Sequence, residues 1–119
     1  MISIKVILEK LNRRAGVVGS LVCSHDGMVV ESALGDRFDG EALAALASSV
    51  DMAIGNGCKA IEFHRYTRYQ ITSSSGNLIL TDLGKSLFVV ILDASADLPQ
   101  INVEIFQASN EIKKHVNIG

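Results

Sequence analysis

Three histidines and two cysteines are the side chains in this 119-residue chain best suited to metal binding or nucleophilic attack. Cys23, His25 and Asp26 lie close together, and Cys58, His64 and His115 could join them as ligands. Structural zinc needs ligand pairs such as Cys-x-x-Cys or His-x-x-x-His, so that both donors converge on one tetrahedral ion, and no pair here has that spacing. His25 reads more simply as a turn residue, so no metal is expected. Nucleophilic chemistry would need Cys23 or Ser20 beside His25 or His64 as base. No Gly-x-Ser-x-Gly elbow presents such a nucleophile, and no catalytic residue is expected. The glycines do not cradle a phosphate. Gly16-Val-Val-Gly-Ser leads into a strand, whereas phosphate loops lead out of a strand into a helix N-terminus. Gly55-Asn-Gly57 ends a helix, where carbonyls repel an anion. No cofactor is expected.

Bulk properties narrow the class further. Eleven basic residues against 13 acidic ones give a net charge of −2, and aromatics are 5% of the chain, so no nucleic-acid partner is expected. Hydrophobic residues reach 48%, enough for a core, and the length fits one domain over residues 1–119. Two cysteines make no disulfide framework and read as reduced, packed thiols. The N-terminus interleaves Lys5, Glu9 and Lys10 with its apolar residues, unlike a signal peptide. No stretch approaches the roughly 20 apolar residues of a membrane span, so a cytoplasmic protein with no membrane contact is expected. A chain this small has an obvious route to burying more surface in a partner chain.

The elements that would position these residues follow from periodicity. Ile4, Ile7, Leu8 and Leu11 share one helical face, predicting a helix over 3–14 that Gly16 would close. Residues 17–23 and 28–32 are β-prone and flank Asp26-Gly27, predicting a hairpin whose two turn residues take positive φ. Asp39 is a good N-cap for a helix to about Asn56, with Gly57 closing it. Residues 60–72 read as a long strand, 78–81 and 87–92 as two more, and the stripe Ile101, Ile105, Ala108, Ile112, Val116 as a final helix. The order is α-β-β-α-β-β-β-α. Leu87-Phe-Val-Val-Ile-Leu92 is apolar on both faces and belongs at the sheet centre beside the first strand. Numbering strands along the chain, this predicts a five-stranded antiparallel sheet in the order 2-1-5-4-3, with helices on both faces.

Two features are left over. In the middle helix, Leu43, Leu46, Val50 and Ile54 form a stripe that can cover the sheet, leaving a second stripe of Ala44, Ser48, Asp51, Met52 and Gly55. It could be tight packing on its own sheet, but an interface is the better reading, because short side chains let another helix approach. The 60–72 strand lies at an edge with no proline to block pairing, and it carries His64, Arg65, Tyr66 and Arg68. These could form a solvated face or a contact with a second copy or a partner. The second reading is preferred.

The ordered set of segments resembles the Roadblock/LC7 family across nearly the whole chain. The matching pieces are Gly16-Val-Val-Gly-Ser-Leu-Val with its His25-Asp-Gly27 hairpin, the small-residue helix 39–57, and Gly76-Asn-Leu-Ile-Leu-Thr-Asp-Leu-Gly84 leading into 87–92, followed by the closing amphipathic helix. Leu98-Pro-Gln-Ile departs from the Asn-Leu-Gly type of start expected for that last helix. The resemblance implies a profilin-like fold and a homodimer, or a heterodimer with a paralogous Roadblock protein, whose edge strands join two sheets and whose middle helices lie side by side. It also implies a platform for small Ras-like GTPases or a light chain of cytoskeletal motors. Some bacterial members stimulate GTP hydrolysis by a partner GTPase in polarity or motility signalling, repositioning the GTPase's own residues. The expected function is therefore a non-catalytic homodimer that regulates a small Ras-like GTPase by activation or scaffolding, any GTP belonging to the partner. An adaptor or light chain without influence on GTP turnover is the alternative. A small-ligand sensor would need a polar-lined cavity, which the continuous apolar strands do not suggest.

Overall fold

A computed structural model describes residues 3–116. The Ser3 hydroxyl accepts the Val6 N–H and starts α1 (Ile4–Asn12), whose Ile7, Leu8 and Leu11 are buried. Then come β1 (Val17–Cys23), β2 (Val29–Ala33), α2 (Gly40–Ala60), β3 (Arg68–Ser73), β4 (Gly76–Asp82), β5 (Leu87–Asp93) and α3 (Leu98–Val116). The sheet order is β2-β1-β5-β4-β3 with every neighbour antiparallel, as the sequence predicts. The alternation of side chains along β5 builds two cores at once. Phe88, Val90 and Leu92 meet α1 and α3 through Leu8, Ile101, Ile105 and Ile112. Leu87, Val89 and Ile91 meet α2 through Ala44 and Ala47.

Four local expectations are corrected. The 24–28 turn has positive φ only at Gly27, at 88°, and not at Asp26. Gly27 N–H donates to the Ser24 carbonyl and Ser24 N–H to the Met28 carbonyl, a three-residue hairpin loop with a glycine bulge that needs only one left-handed residue. The middle helix does not stop at Gly57 but runs to Ala60, since Cys58, Lys59 and Ala60 can continue it and one interior glycine costs only about 1 kcal/mol. It ends in a Schellman motif: Phe63 N–H donates to the Cys58 carbonyl and Glu62 N–H to the Lys59 carbonyl, with Glu62 at φ 61°. That longer helix takes residues assigned to the 60–72 strand, so β3 spans Arg68–Ser73 alone. His64, Arg65 and Tyr66 therefore sit in the α2–β3 connection and not on the edge strand, whereas Arg68 is its first residue.

The fourth correction concerns which face of α2 meets the sheet. Ala44, Ala47 and Asp51 are its buried residues, and of the expected stripe Leu43 and Val50 are only half-buried against the same core, Ile54 is half-buried and Leu46 is exposed. Short side chains let the helix lie close over β1, β2 and β5, and on that face β3 and β4 stay largely uncovered. Leu43 and Val50 line the flank of the helix, and Leu46 is 45% exposed. The outward side is also short: Ala42, Ala45, Ser49 and Ala53 are all exposed.

Candidate functional site

The α2 face carries an ionic network centred on Asp51. Its carboxylate is 5% exposed yet fully engaged. It accepts the Tyr66 hydroxyl at 2.6 Å, meets His25 Nδ1 at 2.9 Å, and is bound by the Arg65 guanidinium. Arg65 also donates through Nε to Asp82, and His25 Nε2 lies 2.9 Å from the Gly84 carbonyl and 3.5 Å from Asp82. The members come from four parts of the chain: the β1–β2 turn, α2, the α2–β3 connection, and the end of β4 with the β4–β5 turn. The network ties three loops to one helix. A Cβ at Gly55 would fall 2.5 Å from Arg65 Nη1, so a larger residue there would make the guanidinium shift. The Ser48 hydroxyl adds a hydrogen bond to the His25 carbonyl at 2.6 Å.

The electrostatics are those of a satisfied network. Burial works against charge on Asp51, but the hydrogen bonds from Tyr66 and His25 and the Arg65 charge hold its carboxyl below the usual value. Burial likewise opposes protonation of His25. The hydrogen bonds to Asp51 and the Gly84 carbonyl, with the charges of Asp51 and Asp82, outweigh it and raise the imidazole above its ordinary value. Burial, then the hydrogen bond to Asp51, pushes the Tyr66 phenol up. Cys23 lies close by, but burial and the Asp51 charge push its thiol up to about 11, which keeps it protonated and un-nucleophilic. The Ser20 hydroxyl is buried and donates to Asn12 Oδ1 at 2.8 Å. Among the described residues, no three His, Cys, Asp or Glu side chains gather as metal ligands, and no helix is long and apolar enough to cross a membrane.

Beside this network runs an apolar shelf. Leu43, Leu46 and Val50 of α2, with Ile71 of β3 and Leu78 of β4, border a shallow groove where the helix leaves the sheet bare. β3 pairs with β4 on one side only, so among the described residues its outer row of backbone groups has no strand partner. The structure thus sorts the residues singled out from the sequence into two groups. Ala44, Ser48, Asp51, Gly55, Arg65 and Tyr66 are engaged within the chain, where they fix α2 and its loops. Met52 and His64 are exposed, and Arg68 begins the open edge. Sequence reasoning missed that His25 meets Asp51 and that Asp82 joins the network through Arg65 and His25, because these residues are remote in the chain. It also missed Ile71 and Leu78 as the floor of the shelf. A buried acid within a helix of small residues was the available signal.

Comparison with known proteins agrees with this architecture. The Roadblock/LC7 domain matches residues 4–93. An uncharacterized protein of Methanocaldococcus jannaschii is 33% identical over 109 residues, covering 92% of both chains. The solved structure of Myxococcus xanthus MglB superposes with a TM-score of 0.90 at 23% identity, covering 98% of this chain and 96% of that one. A Roadblock/LC7 domain from Streptomyces avermitilis gives 0.86 at 16% identity, covering 94% and 96%. At such identities the two structures speak for the fold alone. The domain match over most of the chain, the archaeal relative and the shared sheet order lead to one conclusion: this chain belongs to the Roadblock/LC7 domain family.

Proposed function

We propose that this protein is a non-catalytic, dimer-forming platform that binds a small Ras-like GTPase and regulates it by activation or scaffolding. The observation that carries the reading is the half-covered sheet, with an apolar shelf and a bare edge strand side by side. A second copy meets both needs at once: its β3 can extend the sheet, and its α2 can lie on Leu46, Ile71 and Leu78. The short outward residues Ala42, Ala45, Ser49 and Ala53 let two such helices come close. Met52 on α2 and His64 in the α2–β3 connection are the contact residues of this proposal, the Asp51 network holding α2 in place, whereas Arg68 turns to the α3 side of the sheet. Family membership supports the GTPase as partner. The exposed α2 surface and the hairpin residues Met28 and Val30, 66% and 50% exposed, offer an apolar landing area.

Light scattering at low micromolar concentration is expected to give twice the chain mass, and a stable monomer sinks the dimer. GTP hydrolysis by a Ras-like GTPase from the same genome, measured with and without this protein, tests regulation. A faster rate supports activation, and binding without a rate change supports scaffolding. Neither binding nor a rate change for any such GTPase would overturn the GTPase reading in favour of an adaptor.

A further inference from the structure

The α3 side of the sheet holds a cleft that the α2 face does not share. Side chains of β3 and β4 alternate, and Arg68 faces its cross-strand partner Thr81 on the side of α3. Between them and the helix opens a cleft of about 350 Å3, lined by Thr67, Arg68, Thr81, Ile105, Phe106 and Lys113 among others. Its charge is one-sided. The Arg68 guanidinium meets the side-chain oxygen of Asn102, a neutral acceptor, and among the described residues neither Arg68 nor Lys113 is in an ion pair. Asp82 borders the cleft, but its oxygens are already engaged by Arg65, His25 and the Gly84 N–H. Burial pushes Arg68 below its ordinary value with no anion to oppose it. Phe106, on the wall, is 66% exposed over the buried Ile105.

We propose that this cleft is a docking site for an acidic peptide segment of a protein partner, in which a Glu or Asp side chain pairs with Arg68 and Lys113 and an adjoining apolar residue packs on Phe106. A chain with net charge −2 that concentrates two unpaired cations beside an exposed aromatic ring is complementary to a carboxylate next to an apolar group. The guanidinium fork matches a carboxylate in bidentate geometry, and the spare donors of Arg68 are there to be used. The cleft is partly open to solvent, which suits a peptide segment better than an enclosed small molecule.

Titration of the full 15N-labelled chain with acetyl-Leu-Glu-Phe-amide tests this by NMR. Shifts are expected at Arg68, Phe106 and Lys113 and not on α2, with the Gln counterpart of the peptide binding at least about tenfold more weakly. Arg68→Gln should abolish the preference for Glu over Gln. Lys113→Gln, at an exposed position where folding is not at stake, should reduce it. Equal binding of the two peptides, no binding of either, or shifts centred on α2 would overturn the proposal. So would free glutamate binding as well as the peptide, which would make the cleft a small-acid site. Loss of dimer mass in Arg68→Gln would also overturn it, by assigning this cation to the contact between copies.

Discussion

At the scale of residues, the Asp51 network makes stability depend on pH in a definite direction. His25 is more easily protonated in the folded chain than its ordinary value of 6.5, so its contribution is complete below 6.5 and is lost as the pH rises through the raised folded value. Asp51 behaves oppositely. Its folded value lies below the ordinary 3.8, so its contribution is present above 3.8 and is lost as the pH falls through the folded value. Both contributions are complete between those two ordinary values. Thermal melts should therefore show Tm declining from pH 6 to pH 9 in the wild type more steeply than in His25→Gln. Parallel pH profiles for the two proteins would show that the imidazole is not coupled to folding. Asp51 was visible in the sequence as an oddity of a small-residue helix. Its role was not, because His25, Arg65 and Tyr66 come from two other segments and leave no trace in spacing.

At the scale of elements, two backbone positions carry opposite predictions. Glu62 closes α2 at φ 61°, a conformation in which a side chain is disfavoured, and it is exposed and in no ion pair among the described residues. Glu62→Gly should raise stability by about 0.5–1 kcal/mol, measured by denaturant unfolding, because glycine removes that penalty at the helix terminus. Gly76 opens β4 at φ 141°, and a Cβ there would lie 2.1 Å from the Leu92 carbonyl of β5. Gly76→Ala should cost roughly 2–3 kcal/mol in the same assay, since backbone and not a flexible side chain stands in the way. The helices α1 and α3 were legible because their apolar stripes repeat at the helical period. The α2–β3 boundary was not. Residues 58–63 read as well in a strand as in a helix, and the cap that decides between them is set by a non-glycine residue in a left-handed conformation.

At the scale of the whole molecule, the offset of α2 toward β1, β2 and β5 leaves the groove that the proposed second copy fills. Leu46 stands in that groove at 45% exposure and touches little else in its own chain, so a charge there is tolerated by the monomer and opposed by an apolar contact. Leu46→Glu is expected to leave the melting temperature of a dilute sample near the wild-type monomer value. It should weaken self-association at least about tenfold by analytical ultracentrifugation. An unchanged dissociation constant would place any interface elsewhere.

The sequence by itself determined the element order, the central place of β5 and the sheet order, because burial on both faces leaves an unbroken apolar run that no edge strand could carry. Only the tertiary structure decided which side of α2 faces inward. Alanine is short enough to pack against a sheet and short enough to line a helix contact, so periodicity alone could not distinguish the two. The structure placed the small residues Ala44 and Ala47 inside, moved His64, Arg65 and Tyr66 off the strand, and took Asp51 from the expected interface stripe into a buried network with His25, Arg65 and Tyr66. Close approach of α2 to the sheet buries Ala44, Ala47 and Asp51, and its run to Ala60 takes residues that would otherwise begin the strand.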